Sequence, residues 1–183
     1  MADYLIVPGL NNSGPEHWQT QWQQQLDSVA RVEQQHWEKP ELDTWADNVV
    51  EQIKQTQPRW IIAHSFGCLA TVRALTREKV RKQERAELSS VEGLFFVAPA
   101  DPDKFAVRDL LPEETLKTPA VIVGSFTDPW FGWEKLALLA KQWNVPLLSA
   151  GDAGHINVES GHGAWKEGWD LFRQFQNSLL RAA

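Results

Sequence analysis

The chain has 183 residues, about the size of one domain, and its 43% hydrophobic and 23% charged content is that of a globular protein, not a disordered or fibrous one. Eighteen Lys and Arg against 24 Asp and Glu give a net charge of −6, the opposite of the basic footprint that binding to nucleic acid or anionic membranes requires. A single cysteine, Cys68, excludes an intrachain disulfide and a thiolate metal cluster.

No apolar run approaches the length of a membrane span, and the first residues lack the basic start and long apolar stretch of a signal peptide, so a cytoplasmic protein is expected. Along the chain, short apolar runs alternate with segments of helical period. That is the pattern of a mostly parallel sheet with helices on both faces. The first strand is expected at 4–7. Ser13-Gly14-Pro15-Glu16 then has the spacing of a capping box, with Pro in the first turn, followed by Trp18, Trp22 and Leu26 at helical intervals. A short second strand is expected at 31–33, and Asp43 is placed to cap a helix with Trp45, Val49 and Ile53 on one face.

The third strand, 60–63, leads into a helix from 66 to about 76. Residues 77–87 form a run of five basic and three acidic residues, expected to be a solvated helix extension and loop. Strands at 93–97 and 120–123 flank a link of about twenty residues, long enough for a turn and one short helix but not for a lid domain. Trp133, Leu136, Ala140 and Trp143 mark the next helix, followed by a strand at 146–149 and a last helix from about 165 to 180 with Trp169, Phe172, Phe175 and Leu179 inward. Most of the six strands lack polar alternation, as strands buried on both faces do. No repeat, low-complexity tract or linker interrupts the pattern, so residues 1–183 are expected to form one domain. The ten tryptophans are expected either in a core or around an aromatic pocket.

Chemistry concentrates where the third strand breaks into a helix, at Ala63-His64-Ser65-Phe66-Gly67. A Gly-x-Ser-x-Gly elbow makes such a turn and exposes the serine at the C-terminal end of the strand; here Ala63 replaces the first glycine. The alternative is that Ser65 only caps the following helix. A nucleophilic serine needs a base and an acid, which in this architecture follow in the order acid, then histidine. Asp128, just past the fifth strand, and His155, in a loop past the sixth, fit that order. Their competitors are Asp101, Asp103 and Asp152 for the acid and His162 and His64 for the base. Backbone N–H groups of Phe66 and Leu10, with Asn11 second to Leu10, are the expected donors to an oxyanion. The loop Gly9-Leu10-Asn11-Asn12-Ser13-Gly14 also opens like a phosphate-binding loop, but Pro15 and Glu16 stand where that loop needs lysine and a hydroxyl, so nucleotide binding is rejected.

Val7-Pro8-Gly9, the run at 13–18, Ala63–Gly67 and the stretch at 151–163 with Trp165 resemble the small serine hydrolases of the retinoblastoma-binding protein 9 type. The resemblance spans almost the whole chain. It implies a minimal α/β-hydrolase fold without a lid domain, serine hydrolase activity, and a triad of Ser65, Asp128 and His155. Retinoblastoma-protein binding is not supported, because the one cysteine lies in Phe66-Gly67-Cys68-Leu69-Ala70 and not in Leu-x-Cys-x-Glu.

The expectation is therefore a hydrolase of small ester-type acyl substrates that needs no metal or cofactor. A weakly active binding protein and a peptidase or amidase are the alternatives. Asn11, Trp18, Trp130 and Trp165 are the expected substrate contacts, with the tryptophans rimming the site unless they belong to the core.

Overall fold

A computed structural model describes residues 1–77 and 86–182; residues 78–85, most of the charge run, lie outside the described residues. Six strands form one parallel sheet: β1 (Tyr4–Val7), β2 (Val29–Arg31), β3 (Trp60–His64), β4 (Gly93–Val97), β5 (Ala120–Gly124) and β6 (Leu147–Ser149). Their order is β2-β1-β3-β4-β5-β6. Among the described residues the helices are α1 (Trp18–Gln25), α2 (Leu42–Thr56), α3 (Phe66–Thr76), α4 (Trp133–Gln142) and α5 (Lys166–Ala182).

Strand side chains alternate between the two faces of the sheet, and each set meets different helices. Leu5, Val7, Ile61, Ala63, Leu94, Phe96 and Ile122 pack with Trp45, Val49 and Ile53 of α2, Leu69 of α3 and Leu136 and Ala140 of α4. Trp60, Ile62, Phe95, Val97, Val121 and Val123 pack with Trp18 and Trp22 of α1 and Phe172 of α5. Both faces are thus covered, which is why the strands read as unbroken apolar runs. The connection from β4 to β5 carries only a 3-10 turn at Arg108–Leu110, and among the described residues there is no lid.

Three local expectations are corrected. β2 lies two residues earlier than expected because its ladder to β1 pairs Tyr4 with Val29 and Ile6 with Arg31. Val32 is buried just past the strand end, where its N–H still reaches the Ile6 carbonyl at 2.9 Å. The capping box at residues 13–16 does not form: the Ser13 hydroxyl donates to Gln19 Oε1 at 2.6 Å, and α1 begins at Trp18, capped by His17, whose Nδ1 accepts from the Gln19 N–H at 3.2 Å. Asp43 is not a cap either. It sits in the first turn of α2, where a negative charge favours the helix dipole, and accepts from Arg73 Nε at 2.7 Å. No helix among the described residues is long and apolar enough to cross a membrane.

Candidate active site

The strand order reverses at β1, whose neighbours are β2 and β3, so the loops leaving β1 and β3 lie side by side at the carboxyl edge of the sheet. Crevices at such reversals are where open parallel sheets bind ligands. Ser65 sits there with φ 53 and ψ −123, a left-handed conformation that costs a non-glycine residue about 1–3 kcal/mol. Its surroundings hold it: the Ser65 N–H donates to the Val97 carbonyl at 3.1 Å and its own carbonyl accepts from the Cys68 N–H at 3.0 Å. Gly67 lets the turn close, since a Cβ there would lie 2.5 Å from the carbonyl oxygens of both Val7 and Pro8. Gly9 does the same from the facing loop, where a Cβ would lie 2.8 Å from that of Ser65. Ala63, in place of the first glycine of the pattern, is fully buried inside β3, before the turn.

Ser65, His155 and Asp128 form a hydrogen-bonded line. The Ser65 hydroxyl lies 3.0 Å from His155 Nε2, and His155 Nδ1–H donates to Asp128 Oδ2 at 2.9 Å. The carboxylate acceptor selects the tautomer that leaves Nε2 free to take a proton. Asp128 Oδ1 accepts from the Trp130 N–H at 2.9 Å, so both oxygens are engaged. Among the described residues none of the competing acids is hydrogen-bonded to His155. Asp101 is buried, accepts from the Asp103 N–H and pairs with Lys135 at 3.7 Å; Asp103 pairs with Arg108, and Asp152 is exposed. His162 contacts the Ser160 hydroxyl through Nδ1 at 3.0 Å.

The loop bearing His155 is pinned on several sides, by groups that sequence reasoning missed. Ser125 Oγ accepts from the Ala153 N–H and Thr127 Oγ1 from the Gly154 N–H. Trp18 Nε1–H donates to the Ile156 carbonyl at 2.9 Å. His64 directs its Nε2–H to the His155 carbonyl at 3.0 Å and not to the Ser65 hydroxyl. Burial holds the His64 pKa well below its ordinary value, which keeps the ring neutral and able to donate. No spacing in the sequence signals these contacts; the only hint is the pair of hydroxyls two and four residues before Pro129.

A cleft of about 520 Å³ opens over the line of three. Leu10, Ala100, Phe105, Trp130 and Val158 give it apolar surface; Asn11, Asn12, His17, Asn157 and Glu159 give it polar surface. The Phe66 N–H is in the first turn of α3, where a helix leaves its amides without internal partners. The Asn11 N–H is committed to the Trp37 carbonyl at 3.0 Å, which removes the second choice of oxyanion donor, although the residue itself lines the cleft. Trp130 is 57% exposed at the rim, and Lys104 Nζ donates to its carbonyl from above its ring. The other two tryptophans are corrections. Trp18 is fully buried and Trp165 nearly so; they pack edge to face at 5.2 Å, with Trp22 stacked on Trp165, in the core beneath the site. Among the described residues no group of three or more His, Cys, Asp or Glu is placed to hold a metal ion.

Chains folded in this way, with the tight serine turn at the reversal of strand order, are α/β hydrolases. This chain belongs to the serine hydrolase family, whose model matches residues 4–174. Among solved structures, it is similar to a YdeN-like hydrolase from Pectobacterium atrosepticum, with 29% identity, a TM-score of 0.87, and coverage of 98% of this chain and 92% of that one. The ydeN gene product of B. subtilis aligns at 18% identity and TM-score 0.73 over 97% of this chain and 100% of that one. A butyrate-bound esterase from Thermogutta terrifontis shares the fold at 14% identity and TM-score 0.67, over 97% of this chain and 83% of that one. A search of curated proteins finds no match.

Proposed function

We propose that the chain hydrolyses small ester-type acyl substrates through a Ser65–His155–Asp128 triad, as a carboxylesterase-like enzyme. The observation that carries this reading is the line of hydrogen bonds from the Ser65 hydroxyl through His155 to Asp128. In the first half-reaction His155 Nε2 takes the hydroxyl proton as Ser65 Oγ bonds to the substrate carbonyl carbon. The Phe66 and Leu10 N–H groups hold the resulting oxyanion. As the intermediate collapses, the alcohol leaves with the proton from His155, and an acyl-Ser65 remains. Water then gives a proton to His155 and attacks the acyl carbon, and Ser65 leaves with that proton as the acid is released. Asp128 stays ionised throughout and steadies the imidazolium. Asn11 and Trp130 contact the substrate at the cleft, and the motifs at 7–9, 13–18 and 151–163 favour the retinoblastoma-binding protein 9 type within the family.

A fluorophosphonate probe tests this. Intact mass is expected to show one adduct per chain, absent from Ser65→Ala. A folded wild-type protein that takes up no adduct would overturn the reading in favour of a binding protein on the same scaffold. A panel of matched esters, amides and peptides, with esters expected fastest, separates the esterase from a peptidase.

A further inference from the structure

The polar wall of the cleft has an unusual bias, visible once each side chain's hydrogen bonds are assigned. His17 is 5% exposed and lines the cleft. Its Nδ1 accepts from the Gln19 backbone N–H, an obligate donor, which fixes the tautomer with the proton on Nε2. That Nε2–H has no partner among the described residues and is not sealed from the cleft. Burial lowers the His17 pKa to about 4, so the ring is neutral near pH 7.

Asn12 and Asn157 line the same cleft and show the same bias. Asn12 Oδ1 accepts from the Ser13 N–H at 2.7 Å and from Arg31 at 2.6 Å. Asn157 Oδ1 accepts from the Ser160 N–H at 3.1 Å. Backbone amides and guanidinium can only donate, so both side chains are oriented with the oxygen inward and the NH2 left over. Three side chains have thus given up their acceptors to the protein and kept their donors. Leu10, Ala100 and Phe105 give the same cleft apolar surface.

We infer that this wall is a subsite for a neutral oxygen acceptor: the substrate is an ester that carries a second ether, carbonyl or hydroxyl oxygen within a few bonds of the scissile carbonyl, received by His17 Nε2–H with Asn12 and Asn157. The inference rests on the ester-hydrolase reading above and refines its substrate class. A cationic group offers these three donors no acceptor. Two carboxylates, Glu159 and Asp101, against one ammonium, Lys104, line the same cleft, so the balance of charge there disfavours a substrate carboxylate. His17 here is a binding residue; it takes no part in proton transfer.

Two isosteric pairs provide the test: p-nitrophenyl methoxyacetate against butyrate for the acyl half, and 2-methoxyethyl acetate against butyl acetate for the alcohol half. Each kcat/KM is divided by the substrate's rate of hydroxide hydrolysis, which removes the activating effect of the oxygen. In at least one pair the oxygen-bearing ester is expected to be favoured by about three- to ten-fold, the worth of one neutral hydrogen bond. His17→Asn keeps a helix cap, but its NH2 is too short to reach the position of Nε2–H, and the ratio is expected to fall to about one; the longer side chain of His17→Gln brings an N–H back to that position and is expected to recover part of it. Should His17→Asn not fold, Asn157→Asp keeps the bond from Ser160 and removes the NH2, and the ratio is expected to fall likewise. Ratios of one in both wild-type pairs, or a ratio insensitive to the substitutions, would overturn the inference while leaving the esterase intact. A preference for p-nitrophenyl hemisuccinate over the methoxyacetate would also overturn it. Failure to turn over any of the four esters would sink the esterase reading itself.

Discussion

Both oxygens of the Asp128 carboxylate are occupied, Oδ2 by His155 and Oδ1 by the Trp130 N–H, so the acid is fixed in direction as well as in position. Replacing it with asparagine puts an NH2 or a weaker acceptor against the imidazole and favours the wrong tautomer. Asp128→Asn and His155→Ala are each expected to lower kcat by several orders of magnitude, up to about 10⁴-fold. Asp101→Asn and His162→Ala, which alter an ion pair with Lys135 and a contact to Ser160, are expected to cost less than about ten-fold. Steady-state kinetics on folded variants decides this, and an Asp101 variant worse than the Asp128 one would reassign the acid. The three residues on the line were legible because each follows a recognisable strand in the order the architecture demands. His17 and His64 were not. His64 ends β3, yet its ring is committed to the His155 carbonyl 91 positions away, and no local spacing encodes that.

The β1 loop and the β3–α3 turn approach each other through their glycines. A methyl at Gly67 would meet the Val7 and Pro8 carbonyl oxygens at 2.5 Å, and neither can move without shifting β1. Gly67→Ala is therefore expected to lose about 1–3 kcal/mol of stability by overpacking and to slow fluorophosphonate labelling. Gly14→Ala, with nothing within 4 Å, is expected to stay within about 0.5 kcal/mol of wild type. Chemical denaturation of the two variants checks both, and equal stability would refute the close approach. Elements such as β1, β4 and α3 were readable from apolar runs and glycine placement alone. β2 was misplaced because its three residues are only half-buried, and it is the ladder to β1 that sets its position. The start of α1 was misread because Ser13 and Gln19 prefer each other, leaving the cap to an imidazole.

With no lid among the described residues, Ser65 and His155 lie in an open cleft of about 520 Å³ with Trp130 at the edge. Each buried methylene adds roughly 0.8 kcal/mol of binding, but the gain stops where the acyl chain emerges into water. Among p-nitrophenyl esters kcat/KM is expected to peak between acetate and butyrate and to fall by octanoate; a rate still rising at decanoate would require an acyl tunnel. The buried histidines also tie the stability of the whole fold to pH. His17 is lowered to about 4 and His64 and His162 lie below their usual value, in each case first because of burial. Between about pH 4 and 6.5 the unfolded chain therefore binds more protons than the folded one, so stability is fully present above about pH 6.5 and is lost as pH falls. His17 alone accounts for on the order of 3 kcal/mol across that window. Urea midpoints are expected to drop from pH 7 to pH 5, and His17→Asn to flatten part of the drop; a midpoint unchanged over this range would contradict the neutral, buried state of these rings.

The bond from Trp18 to the Ile156 carbonyl has an optical consequence. An indole sealed from water emits at short wavelength, and Trp18 is sealed by Trp22 and Trp165 on one side and by the chain next to His155 on the other. Loosening of the segment that carries His155 would wet that indole before the sheet itself came apart. The protein thus contains its own spectroscopic gauge of whether the histidine is in place. A red shift in emission that precedes the loss of far-ultraviolet circular dichroism, and that is missing from Trp18→Phe, would mark a state in which Ser65 remains in its turn but His155 has left it, the state that the proposed mechanism makes inactive.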